Sequence, residues 1–132
     1  MSNSIEQSLK SILSNDATLM DIVKNVHNLA APPGAEYPHI IFHSLGGPDE
    51  YTLTEHVRTQ YSYQVRVLDK SDSLFKINSA VARIYALLND AEIVAGQTLY
   101  CRREGVIPNH PVLDEDGRLL LQGGATYSIQ VR

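Results

Sequence analysis

The chain has 132 residues and a formal net charge of −4, with 43% hydrophobic and 20% charged residues. This composition excludes a disordered tail and is typical of a single domain, residues 1–132, with one hydrophobic core. The longest basic run is Arg102–Arg103, which argues against a protein that grips nucleic acid by its phosphates.

Several compartments and partners are also disfavoured. Cys101 is the single cysteine, so an intramolecular disulfide is excluded and a reducing compartment is favoured. The start MSNSIEQSLK lacks the basic and apolar blocks of a signal peptide, and no apolar run approaches the roughly 20 residues of a membrane span. We therefore expect synthesis in the cytoplasm, no export signal and no membrane partner.

The N-terminal quarter is predicted to be helical. Residues 4–14 place their apolar side chains on one helix face. Asn15–Asp16 offers a cap for a second short helix, whose apolar pattern runs from Leu19 to Val26. The segment AAPPGAEYP, residues 30–38, then ends any helix because its prolines lack the N–H donor.

The middle of the chain is predicted to be two strands followed by a long helix. HIIFHSL, residues 39–45, is a short strand candidate, and residues 51–68 form an extended segment with period-2 alternation. Residues 74–88 carry apolar side chains at helical spacing. In the extended segment one face holds Val57, Tyr61, Tyr63, Val65 and Val67, and the other holds Arg58, Gln60, Ser62, Gln64 and Arg66.

The last third is predicted to contain two strands, QTLYCRRE at residues 97–104 and the alternating residues 125–131. Residues 105–124 between them are interpreted as a long polar connection with a turn at DEDG, and we expect it to be mobile in the free chain. The order α-α-β-β-α-β-β predicts an α+β domain. Its sheet is expected to be mainly antiparallel, with four to five strands and the helices packed on one face.

The strand–turn–helix junction around LDKSDS could in principle hold a phosphate, but its composition does not fit. It has no glycine, and Asp69 and Asp72 lie where the anion would sit. Ser71 or Asp72 is instead predicted to cap the helix. The glycine pairs 46–47 and 123–124 lack the spacing of a nucleotide-binding loop and are interpreted as turns.

No catalytic, metal or cofactor site is predicted. His39 and His43 share a strand face but lie roughly 13 Å apart along it, so a metal site with Glu104 is disfavoured. Cys101 lacks a histidine and an orienting group in any recognisable pattern and is interpreted as buried and inert. The tyrosines 51, 61, 63 and 127 lack the interleaved basic residues of a base-stacking surface and are interpreted as core or interface residues.

Two long polar connections, residues 46–56 and 105–124, remain without a chemical role. Connections of this length on a small domain are usually functional, and contact with other chains is the function that needs no catalytic group.

Residues 32–45, with Pro-Pro-Gly…Tyr-Pro-x-Ile-Ile-Phe, and residues 57–90, with YSYQVRV followed by AVARIYALL, carry a resemblance to a known family. Together with the closing ATYSIQVR, this arrangement resembles the small tail terminator, or tail completion, proteins of long-tailed bacteriophages and prophages. The resemblance extends from about Ile5 to Val131, and the 105–124 connection matches least well.

The resemblance implies a structural protein, not an enzyme, that assembles into a homohexameric ring. The ring would cap the head-proximal end of the tail tube, stop tube growth and offer a head–tail joining surface. The implied partners are other copies of the chain, the tube protein and the head–tail connector protein. Viral DNA would pass through the lumen without specific binding, and no cofactor is implied. The implied location is the virion tail, with assembly in the host cytoplasm.

Candidate contact residues lie on the two long connections and would meet a neighbour, the tube or the lumen. They are Asp49, Glu50, Tyr51, Leu53 and Glu55 on the first, and Asp114, Glu115, Asp116 and Arg118 on the second.

Two other readings stay open on the sequence alone. One is a non-viral α+β oligomeric binding module without catalysis. The other is a small enzyme that uses Cys101 or the histidines.

Overall fold

A computed structural model describes residues 2–30, 32, 34–46, 49–51, 56–70, 74–93, 98–113, 117 and 119–131. Within these ranges the chain forms three helices and six strands. In chain order they are α1 (Ser2–Ser14), α2 (Ala17–Met20), β1 (Asn25–Asn28), β2 (His39–Gly46), β3 (Asp49–Tyr51), β4 (His56–Asp69), α3 (Phe75–Leu88), β5 (Thr98–Leu113) and β6 (Leu119–Val131).

The strands form one mixed, mostly antiparallel sheet in the order β1-β2-β4-β6-β5, and the short β3 pairs with β4. Only the β1–β2 pair is parallel. The helices pack on one face of the sheet. The α+β prediction is therefore confirmed. None of the described helices is long and apolar enough to cross a membrane.

The core lies between the helices and this face of the sheet. Tyr63, Val65 and Val67 alternate along β4 and are buried, as the period-2 pattern predicted. The inner face of α3 follows the helical period, which confirms that prediction as well. Its buried residues are Ile77, Ala80, Ile84 and Leu88.

The second helix, as predicted from the sequence, is too long. It ends at Met20, and Val26 lies instead in strand β1, which pairs in parallel with β2. The Lys24 N–H donates to the Pro38 carbonyl at 2.7 Å, where the two strands begin to run side by side. The partner strand is more than ten residues away, so local periodicity could not reveal this pairing.

The interpretation of residues 105–124 as a long polar connection is also wrong. β5 continues to Leu113 and β6 begins at Leu119, so the described part of this segment is the outer half of a β-hairpin and not a connection without secondary structure. The expected mobility in the free chain stays a prediction. Pro108 and Pro111 made this segment look unlike a strand in the sequence, because proline has no N–H to donate. β5 is, however, an edge strand, where prolines are tolerated. Register shifts within β5 accommodate the irregular positions.

Glycines 123 and 124 lie inside β6 and not in a turn. A Cβ on Gly124 would meet the Val65 carbonyl oxygen and would lie 2.9 Å from the Arg66 Cα on β4. Glycine is therefore required because β4 and β6 approach each other closely here.

Asp16 connects the N-terminal helices to α3. It occupies the N-cap of α2 and accepts from the Leu19 N–H at 2.8 Å, as the sequence predicted for a cap. The Arg83 Nε and Nη2 both donate to its carboxylate at 2.8 Å. These hydrogen bonds from Arg83 lower the pKa of Asp16 from 3.8 to about 2.

The cap predicted for α3 is not found at its start. The N-cap position is Leu74, whose side chain makes no cap hydrogen bond. Ser71 and Asp72 lie outside the described residues. Asp69, which was placed in the polar junction, is the buried last residue of β4.

The first prediction concerns the Asp16–Arg83 pair. Because the folded-state pKa of Asp16 is depressed to about 2, its ionised form stabilises the fold above about pH 4. That contribution is lost as the pH falls from about 4 towards 2. We expect Asp16→Asn to lower the free energy of unfolding at pH 5. At pH 2.5 the difference in this free energy between the variant and the parent should be smaller. Urea titrations at each pH measure both values. A gap that is independent of pH contradicts this assignment, and Asp21→Asn, which removes a nearby carboxylate without an Arg83 contact, is the control.

A second prediction concerns the close approach of β4 and β6. Gly124→Ala should cost about 1–3 kcal/mol of unfolding free energy, because the added methyl must displace backbone atoms of β4. Gly105→Ala is the matched control, since a Cβ there meets nothing within 4 Å, and it should stay within about 0.5 kcal/mol of the parent. Urea denaturation compares the two. Equal unfolding free energies of the two variants would contradict this prediction, because they would show that β4 and β6 can move apart at Gly124 without loss of stability.

Candidate functional site

The described residues contain no catalytic constellation. Cys101 is fully buried on β5, and burial raises the pKa of its thiol to about 12. A thiol in this state is not a nucleophile near neutral pH. Among the described residues no group of three or more histidines, cysteines and acidic residues is placed to hold a metal. The described depressions at α1 are open and lined mainly by polar side chains such as Gln7 and Ser11.

The sheet face opposite the helices carries many polar strand residues beside a small buried apolar cluster of Ile41, Leu68 and Leu120, and it is the first candidate surface. Its neighbours in sequence, such as Phe42 and Val65, belong to the core, so the alternate residues point away from the helices. We call this surface the polar sheet face and define it by His27, His39, His43 and Arg66. It also includes Ser62, Gln64, Gln122, Thr126, Ser128 and Gln130.

His39 is held firmly within this face. It is only 2% exposed, and its Nδ1–H donates to the Glu36 carbonyl at 3.0 Å. Its ring meets the His27 ring edge-on, with 5.7 Å between centroids. Burial, which disfavours the imidazolium, lowers the pKa of His39. A buried, neutral His39 is a structural residue of the face.

Arg66 is the central charge of the polar sheet face. The register places it opposite Ile41 on β2 and opposite Gly124 on β6. His43 lies diagonally across from it on the same face, and its pKa is lowered by burial and, secondarily, by the charge of Arg66. A neutral imidazole and a permanent cation therefore lie side by side.

Some polar atoms of this face are buried without a hydrogen-bond partner in the described structure. They include the Nε of Arg66, the Nδ1 of His43 and the Nε2 of His27. Buried polar groups are nearly always hydrogen-bonded, and each exception calls for an explanation. Three such atoms on adjacent strands indicate a surface that is incomplete in the isolated chain.

The residues proposed from sequence as contacts fall into two separate places. Asp49, Glu50 and Tyr51 form β3, which pairs with β4 at His56–Thr59. Leu53, Glu55, Asp114, Glu115, Asp116 and Arg118 lie outside the described residues. By chain position, Leu53 and Glu55 fall between β3 and β4, and the other four fall between the cross-strand partners Leu113 and Leu119.

These two places lie at opposite ends of the sheet. β3 pairs with the first residues of β4, whereas Leu121 on β6 pairs with Asp69, the last residue of β4. Ten residues of strand separate Thr59 from Asp69, which is roughly 33 Å. The sequence-proposed contacts therefore form two patches and not one.

Exposed apolar side chains mark the hairpin end, and the sequence analysis missed them. Leu113 is 69% exposed and Leu119 is 66% exposed, and they are direct cross-strand partners. Phe75, at the start of α3, is 76% exposed. Large apolar side chains that stay exposed in pairs mark contact surfaces more often than chance positions do. The apolar triplets PVL and LLL on either side of the acidic turn were the available signal.

Sequence comparison identifies a related family. A sequence model of the family described as "Tail completion protein gp17" matches residues 7–106. None of the curated proteins matches the sequence.

Two solved structures share the fold. A chain in the virion of a native gene transfer agent particle superposes with a TM-score of 0.71 at 15% identity, covering 98% of this chain and 96% of that chain. The bacteriophage SPP1 gp17 protein superposes with a TM-score of 0.52 at 11% identity, covering 98% and 88% respectively. At these identities the likeness shows the fold alone.

The third prediction tests the assignment of Cys101 as inert. Raising its pKa from 9.0 to about 12 lowers the thiolate fraction about a thousandfold, and burial restricts access further. A variant with Ser11→Cys carries a second, exposed thiol on α1 in the same molecule. Ellman's reagent at pH 8 should modify one thiol rapidly and the other only after urea is added. Two rapid thiols in the folded protein would overturn the assignment.

Proposed function

The chain belongs to the family of tail completion proteins, and from this we propose that it caps the head-proximal end of a phage tail tube as a ring of six copies. Membership of the family makes it a structural protein of phage tail assembly. In the proposed role, the ring stops tube polymerisation and provides the surface to which the head connector attaches.

The observation that carries this proposal is the family match over residues 7–106. The separation of the candidate contacts supports it, since β3 and the β5–β6 turn lie at opposite ends of the sheet. A closed ring built head to tail requires two different patches on each copy. The same arrangement requires no pocket and no catalytic group.

Termination follows from unequal ring faces. One face of the ring would copy the contact that a tube subunit makes with the next subunit. The opposite face would lack the surface on which another tube subunit could bind. A ring that binds the tube but offers no further tube site ends the polymer, and its free face remains for the connector protein.

The net charge fits passage of DNA through the ring. Six copies at −4 would carry −24 formally. A neutral or acidic lumen does not hold DNA by its phosphates, so the genome would slide through without specific binding. The same charge opposes ring closure, so local contacts must offset a general repulsion between copies.

The proposed contact residues are the two patches defined above. They comprise Asp49, Glu50, Tyr51, Leu53 and Glu55 near β3, and Asp114, Glu115, Asp116 and Arg118 at the β5–β6 turn. The exposed pair Leu113 and Leu119 extends the second patch. In this proposal the protein resides at the head-proximal end of the virion tail after assembly in the host cytoplasm.

Family membership argues against the alternative of a non-viral binding module. Such a module would be expected to form a two-fold dimer around an enclosed ligand pocket, and the depressions described at α1 are open.

The fourth prediction tests capping directly. Purified protein is mixed with tail tubes of the same phage and examined by negative-stain electron microscopy. We expect a ring at one end of each tube and no further elongation when tube protein is added. Tubes that elongate equally with and without the protein would contradict the proposal. A monomer in solution would not, because the tube end can serve as the template for the ring.

The hairpin patch supplies the variant for this experiment. Leu113→Ser with Leu119→Ser should leave the stability within about 0.5 kcal/mol per site, because both side chains are exposed, and should reduce capping. Leu29→Ser, at 72% exposure on another part of the surface, is the matched control and should cap normally. Capping that is equal in both variants would remove the hairpin from the contact surface.

A further inference from the structure

Arg66 lacks a counter-ion among the described residues, and this distinguishes it from the other arginines whose side chains are described. Arg83 binds the Asp16 carboxylate at 2.8 Å. Arg102 lies 3.8 Å from the Asp90 carboxylate, and the Arg103 guanidinium lies 4.0 Å above the Tyr85 ring. Arg66 is half-buried and makes no such contact, and its Nε has no acceptor.

Leaving Arg66 in this state is costly. A partly buried cation with an unmet donor needs an acceptor, and a carboxylate forms the strongest hydrogen bonds with guanidinium. The described polar residues on this face offer hydroxyls, amides and imidazoles, and none of them forms an ion pair with Arg66.

The surroundings of Arg66 suit an incoming carboxylate. Gly124, directly opposite on β6, has no side chain, so this position offers no group that pairs with the guanidinium. The buried Nδ1 of His43, also without a partner, can donate to a second carboxylate oxygen when it carries the proton. Ile41, directly opposite Arg66 on β2, and Leu68, two residues further along β4, add an apolar border.

The end of the β5–β6 hairpin complements the surroundings of Arg66 in charge and in apolar character. Leu113 and Leu119, both exposed, flank a turn whose sequence contains three consecutive acidic residues, Asp114, Glu115 and Asp116. A copy of this chain therefore carries a carboxylate-rich turn with apolar flanks and, on another surface, a cation with an apolar border. Charge and apolar character match between the two surfaces.

We infer that the Arg66–His43 surface of one copy binds the acidic β5–β6 turn of the next copy, so that a carboxylate of the neighbour pairs with Arg66. This inference rests on the proposed ring and specifies one of its two contact surfaces. The contact is head-to-tail, because the cation and the acidic turn are different parts of the chain.

The experiment is a charge reversal in the full-length chain. Arg66→Glu alone, and the triple variant Asp114→Lys, Glu115→Lys, Asp116→Lys alone, should each weaken association between copies by about tenfold or more. The chain that carries all four substitutions should recover association to within a few-fold of the parent. Sedimentation over a range of protein concentrations measures association in solution, and ring formation on tail tubes measures it on the template.

Two milder variants guard against misfolding. Arg66→Lys keeps the charge and should retain part of the association, while Asp114→Asn, Glu115→Gln, Asp116→Asn removes the acids without reversing them. The latter should weaken association as Arg66→Glu does, and its folded state is checked by urea denaturation. If both single-surface variants associate like the parent, or if the four-fold variant is not rescued, the inference is wrong.

The outcomes separate this inference from the proposed function. If the parent caps tubes and Arg66→Glu caps them equally well, the ring stands and the Arg66 contact fails. If the parent neither caps tubes nor forms rings, the proposed function itself fails. Binding of a 30-base-pair DNA duplex, measured by fluorescence anisotropy, tests whether a DNA phosphate and not a carboxylate is the anion that pairs with Arg66. Loss of duplex binding in Arg66→Glu with unchanged association of copies would reassign the surface to DNA and overturn the inference.

Discussion

The pairing of β4 with β6 is the interaction on which the rest of the structure depends. It runs through eleven consecutive residue pairs, from Thr59–Val131 to Asp69–Leu121, without a register shift. Cross-strand pairs of this kind contribute roughly 0.2–1 kcal/mol each, and a slip by one residue would turn the core side chains of one strand to the opposite face. The register therefore decides at once which side chains enter the core and which form the polar sheet face.

Both candidate surfaces follow from that pairing. β6 carries β5 on its other edge, and the two strands extend as a hairpin to the exposed Leu113 and Leu119. The same register places Arg66 opposite Gly124, which has no side chain that could pair with the guanidinium. A central strand pair with helices on one face and polar residues on the other thus provides a stable protomer and leaves several surfaces available for neighbours.

The functional residues were only partly predictable. Alternation along residues 57–67 correctly separated Tyr63 and Val65 from Gln64 and Arg66, because the period of a strand is visible in the sequence. The proximity of His43 to Arg66 was not predictable, since it depends on how β2 and β4 are aligned. The helical pattern was extended to Val26, so the position of the next residue, His27, beside His39 was missed as well. The family match ends at residue 106, within β5, and the outer hairpin was also the part that the sequence reading described least well.

The sequence by itself determined the α+β class, the long helix α3, the alternating strands and the burial of Cys101. These properties depend on local period, composition and the intrinsic chemistry of each residue, all of which the order of amino acids encodes directly. Only the tertiary structure decided that residues 105–124 form a hairpin, that β1 pairs in parallel with β2, and that Arg66 has no counter-ion among the described residues. Each of these depends on which distant segment becomes the neighbour. Strand pairing is a non-local choice made by the whole core, and no window of sequence contains it.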